Sequence, residues 1–140
     1  IESEAKINLK AISAGAISYY EVEHADETGM NFFSNVFPES KGVQLGPDVN
    51  ESTINKKHKP AADAYDKVWR DLKFVLQSDA YYTYFYISDG KSARIKAAAS
   101  LSKACDSIFE MDITIKDKEA VAGEIKDVSS TGDCGPAKLP

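Results

Sequence analysis

The side chains able to do chemistry are few and scattered. His24 and His58 are the only histidines, and they stand 34 positions apart with no HxxxH spacing for a metal. Ser-x-x-Lys occurs three times, at Ser3–Lys6, Ser88–Lys91 and Ser100–Lys103, without the SDN or KTG partners that would make it a nucleophile motif. No GxSxG elbow, GxGxxG turn, phosphate-binding GxxxxGK[ST] loop or DxDxDG calcium loop is present. Asp106, Asp127 and Asp133 could converge on a cation near the tail, but they read more simply as solvated turn acids. Asn50-Glu51-Ser52 fits the glycosylation sequon, a weak match that needs a secretory context. Tyr81, Tyr82, Tyr84 and Tyr86 could stack a sugar or a base, although alternate tyrosines on a strand more often cover a core. No nucleophile–base pair and no metal set emerges, so the expectation is a protein that is not an enzyme and takes no cofactor.

Cys105 and Cys134 lie 29 positions apart with no CxxC, which excludes a zinc knuckle or a thioredoxin-type pair. They read either as unpaired core thiols or as one disulfide, the latter implying an oxidising compartment. Cys134 sits in the turn-rich run 129–136, a tail that would otherwise fray.

Composition sets the frame for these residues. At 140 residues the chain has the length of one domain, 1–140. Apolar residues make up 43% and charged residues 28%, which excludes collagenous and disordered classes. Net charge is −5 and evenly spread, so the clustered cations that nucleic-acid binding needs are missing. The one basic run, Lys56-Lys57-His58-Lys59, reads as a solvated loop. The longest uninterrupted apolar run is Tyr84-Phe85-Tyr86-Ile87, far short of the ~18 residues of a membrane span. No signal peptide is visible.

The positioning elements follow from periodicity. Ala5, Leu9, Ile12, Ala16 and Tyr19 or Tyr20 form one helical stripe over 1–24, with Ile1 one turn before it. No capping box precedes Glu2, so the spacing predicts a helix that was cut or trimmed. Residues 25–59 read as a long αβ-loop punctuated by Gly29 and Gly46-Pro47, with Phe32, Phe33, Val36 and Phe37 expected to pin it to the body. A short second helix is expected over 60–76, striped by Ala61, Tyr65, Val68, Trp69, Leu72 and Leu76. Leu9, Ile12, Trp69 and Leu72 are the expected core anchors. Strands are expected over 81–87, 94–101, 108–115 and 121–128, within a sheet-and-tail region 80–140. The expected class is α+β, the long N-terminal helix packed across an antiparallel sheet of about four strands. Ile7, Ala14 and Ile17 lie off the main stripe, which gives the helix more apolar surface than one sheet can cover. Packing under the 25–59 loop is one way to cover them.

Ser3 to Ile12, followed by Ile17-Ser18-Tyr19-Tyr20, resembles the type IV pilin family just after the apolar half of its long first helix. Trp69-Arg70-Asp71-Leu72-Lys73-Phe74 and Ala80-Tyr81-Tyr82-Thr83-Tyr84 resemble the Trp…Leu…Phe and Tyr-Tyr-x-Tyr signatures of the large bacterial pilins, in particular δ-proteobacterial pilins and pilin-like proteins. Residues 94–101 with Cys105-Asp106 are similar to the family's next strand and acidic turn, although Leu101 to Cys105 departs from its glycine-rich form. The resemblance covers about half the chain. It implies the soluble head of a filament subunit, a type IV pilin, minor pilin or type II secretion pseudopilin, acting by polymerisation in adhesion or motility. It implies other pilin subunits and the inner-membrane assembly machinery as partners, and a membrane anchor only through a segment preceding Ile1. The implied location is an extracellular pilus on the cell surface, anchored in the inner membrane before assembly. It also implies that Ile1, Ile7, Ala14 and Ile17 face neighbouring subunits and that Cys105 pairs with Cys134. The reading from a different class is an extracytoplasmic ligand-binding domain using the Tyr81–Tyr86 face.

Overall fold

A computed structural model describes residues 1–140. Helix α1 spans Glu2–Glu21 and buries Ala5, Leu9, Ile12, Ser13, Ala16 and Tyr20 along one face. It stops three residues earlier than its periodicity suggests. Val22 is extended, and His24–Ala25 (β1) pairs antiparallel with Phe32–Phe33 (β2) in a small hairpin.

The sheet has six strands, not four. β3 (Ser40–Leu45), β4 (Thr83–Ser88), β5 (Ala93–Ala99), β6 (Ser107–Lys116) and β7 (Glu119–Ala122) pair antiparallel in that order, and β8 (Lys126–Asp127) pairs with β6 beside β7. Two local features hide the extra strands in the sequence. β3 lies inside the stretch read as loop, where a bulge between Ser40 and Val43, with Gly42 at φ 127°, breaks its alternation. Residues 121–128, read as one strand, are split at Gly123 into the end of β7 and the separate β8.

The second helix is shorter than its stripe. Helix α2 is Lys67–Asp71, because Asp66 caps it from within the predicted span, its Oδ1 accepting from the amides of Val68 and Trp69. Lys73 at φ 53° prevents its continuation. Residues Ala62–Ala64 form only a 3-10 turn, and Tyr65 and Leu76 lie outside the helix, joined by a bond from the Leu76 amide to the Tyr65 hydroxyl.

The main core lies between α1 and the sheet. Tyr82, Tyr84 and Tyr86 point into it together with Ile95, Ala97, Phe109, Met111 and Ile113, and Leu9, Ile12, Trp69 and Leu72 are buried against them. The tyrosines therefore fill the core beneath α1. The opposite face of the sheet, which alternation assigns to solvent, carries a second small cluster of Phe85, Ala98, Ile108 and Ala137. The C-terminal tail covers that face. Cys105 and Cys134 are joined in a disulfide with Cα atoms 5.8 Å apart, which pins the tail.

A carboxylate seats α1 on the sheet. Glu4 Oε1 accepts the Tyr81 amide at 2.8 Å, and Oε2 accepts the Tyr84 hydroxyl at 2.6 Å and the Tyr82 amide at 3.3 Å. Asn8 donates to the same hydroxyl at 2.8 Å. Burial and the neighbouring Glu4 push the Tyr84 phenol far above its ordinary range, so it remains a donor. Glu4→Gln is expected to lower stability by about 1–2 kcal/mol, because one amide oxygen cannot serve three donors. Urea unfolding checks this through a lower midpoint at unchanged slope.

Candidate functional site

The surface available to a partner is set by what α1 leaves open. Ile7, Lys10, Ala11, Ala14 and Ser18 face away from the sheet and are exposed, while Lys6, also exposed, reaches over the Phe109 ring of the sheet. Ile1 and Ile7 are 60% and 65% exposed, large values for isoleucines on a helix whose other face is dry. Ile17 departs from this line: it is half-buried and packs against the main core. The 25–59 segment does not cover Ile1, Ile7 or Ala14.

The hairpin at the other end of α1 is a second open apolar feature. Met30 is 82% exposed and Phe32 63%, so Phe32 does not pin the segment to the body. Phe33 is only partly covered, whereas Phe37 is buried and Val36 half-buried. The turn beneath this tip is well ordered. Asp26 accepts from the Thr28 amide and hydroxyl and from the Asn31 side chain, and its own amide donates to the Asn31 carbonyl at 2.8 Å. The Thr28 and Asn31 bonds hold the Asp26 carboxyl at about 2, below the usual carboxylate value. His24 fixes the hairpin to the helix: its ring stacks on Tyr19 with centroids 3.7 Å apart, and Nε2 lies 2.8 Å from the Tyr19 carbonyl.

Between the hairpin, the end of α1 and α2 lies a cleft of about 510 Å³. Tyr19, Phe33, Val36 and Val68 form its apolar floor. Asp26, Glu27, Glu39 and Asp71 stand around it, with Lys67 paired to Asp71 at 2.7 Å. Sequence reading missed this cleft, because it forms only when residues 19, 33 and 68 meet in space. Exposed Met30, Phe32 and Phe33, set between Glu27 and Glu39, are its one local sign.

On the tail side, Arg94 binds Asp112 through two bonds of 2.7 and 3.0 Å and donates to the Lys138 carbonyl. Lys96 is buried beside it, 3.8 Å from Asp133 and over the Phe85 ring. Burial lowers the Lys96 pKa, and Asp133 and Glu110 partly offset that. These cations, which alternation places toward water, instead hold the tail down.

The three tail acids stay apart in function. Burial opposes ionisation of Asp106, but the amides of Leu101, Ser102 and Lys103 and the Ser102 hydroxyl bring its carboxyl to about 2. Asp127 accepts from the Ser129 amide, and Asp133 from the Gly135 amide. No group of three His, Cys, Asp or Glu side chains is placed to hold a metal ion. His58 reaches the Tyr82 carbonyl through Nε2 at 2.8 Å, far from His24 in the fold as in the chain. Asn50 caps a 3-10 turn, its side chain accepting from the Ser52 amide and hydroxyl. No helix is long and apolar enough to cross a membrane. No family model, curated protein or solved structure matches the chain.

Proposed function

We propose that this chain is a structural subunit of an extracellular filament of the type IV pilus kind, acting by polymerisation and not by catalysis. The observation that carries the reading is the open line of Ile7 and Ala14, with Ile1 exposed just before the helix, on an α1 whose opposite face is seated on the sheet. Leaving two isoleucines in water is unfavourable for an isolated domain, and covering them in a polymer removes that penalty. The pilin-like residues of α1 and of the Trp69–Tyr84 stretch support the same reading, as does a tail stapled by a disulfide, which suits an oxidising exterior. The partners are further copies of the subunit and the inner-membrane machinery that assembles them. A minor subunit or a secretion pseudopilin would use the same surface at low copy number. The test is composition: filaments sheared from the surface of the producing cell should contain this chain, in quantity for a major subunit and as a trace for a minor one.

A further inference from the structure

We propose that the cleft between the hairpin and α2 receives the Ile7 face of α1 from a second copy of this chain, joining copies end to end. The proposal rests on the filament reading and names the contact within it.

The two surfaces complement each other in chemistry. The cleft offers an apolar floor of Phe33, Val36 and Val68. Of the carboxylates around it, Asp26 is engaged by its own turn and Asp71 by Lys67. Glu27 and Glu39 make no hydrogen bond or ion pair and stand open beside the floor. At the far end of α1, Ile7 is exposed with Lys10 one turn on beside it, and neither Lys10 nor Lys6 has an ion-pair partner. Lys6 lies over the Phe109 ring at 5.7 Å, and Lys10 is wholly free. An apolar side chain beside a free ammonium group thus matches an apolar floor beside two open carboxylates. Ala11 and Ala14 follow on the same face, so nothing bulky keeps a hairpin from lying along it.

Placement decides what kind of contact this makes. Ile7 belongs to the first third of α1 and the cleft to its C-terminal end, and a 20-residue helix is about 30 Å long. A patch near one end and a pocket at the other are different surfaces, so copies stacked head to tail with their helices parallel meet through a heterologous contact. That stacking leaves a free patch and a free cleft after every addition, which gives an open chain of copies where the rotation does not close into a ring.

The experiment uses the full-length protein in its producing cell and, in parallel, the purified protein at high concentration. A zero-length carbodiimide joins lysines to carboxylates in direct contact, and peptide mapping then identifies the pairs. Expected are links from Lys10 to Glu27 or Glu39 and a ladder extending beyond dimer. Lys10→Glu, and separately the pair Glu27→Lys and Glu39→Lys, should each cut the ladder at least about tenfold, and combining all three should restore it. Melting should be unchanged in all of them, since these side chains are exposed and unpaired. A ladder that stops at dimer, a combined variant that stays as weak as its parents, or mapped links from the cleft to a different protein would each overturn the proposal. Links in the purified protein without any filament on the cell would support the contact and reject the filament reading, so the two fail separately.

Discussion

Replacing Cys105 and Cys134 by serine is expected to lower stability by about 3–4 kcal/mol, by loop closure over their 29-residue separation. The bridge fastens the tail onto the outer face of the sheet, so the loss has a definite place. Phe85, Ala98, Ile108 and Ala137 form the cluster under the tail, and Val128, Cys105 and Cys134 pack at its edge. When the bridge opens, Lys96 loses its cover and its contact with Asp133, and the Lys138 carbonyl is free to leave Arg94. The buried amine then regains water, which makes release of the tail easier. The signature is therefore a drop in melting temperature of roughly 10–15 °C together with faster amide exchange over 126–140. The main core under α1 should keep its exchange protection below the melting point. A change of less than about 1 kcal/mol, with the tail still protected, would contradict this assignment.

The second large effect is expected at Gly15, with a sign opposite to helix propensity. Inside a helix, alanine is better than glycine by about 1 kcal/mol. At this position a Cβ would stand 2.0 Å from the Leu72 carbonyl oxygen and 2.9 Å from its carbon. The obstacle is backbone, so no rotamer change relieves it. The end of α2 must retreat by about 1 Å or more to restore a normal contact. That end carries Trp69 and Leu72, both buried in the main core. Gly15→Ala is thus expected to destabilise by about 2–3 kcal/mol, overpacking outweighing propensity. Trp69 is the only tryptophan, so its fluorescence should shift as the ring moves. A neutral or stabilised variant with unchanged emission would show that α1 and α2 are not in this close contact.

The parts of the fold readable from the chain are those whose signal is local. The face of α1 follows from Ala5, Leu9, Ile12 and Ala16, and the aromatic and β-branched run 81–87 reveals β4 by its composition. Elements interrupted by one residue are harder. Gly42 hides β3 within a loop, Gly123 separates β7 from β8, and Asp66 turns a long apolar stripe into a single capped turn. Contacts between distant segments leave no local pattern at all. Arg94 and Lys96 sit at positions that alternate toward water, yet the tail covers them. The exposed helix line was legible as an apolar excess, whereas Ile17 is drawn into the core. The acid-rimmed cleft was not, because its floor is assembled from residues almost fifty positions apart.

Mass spectrometry of filaments sheared from the surface of the producing cell tests the central claim most directly. The prediction is that this chain is a constituent of those filaments and arrives with Cys105 and Cys134 joined, two hydrogens lighter than the reduced form. Intact filaments free of the chain, with all of it recovered as single molecules elsewhere, would contradict the claim that it acts by assembly.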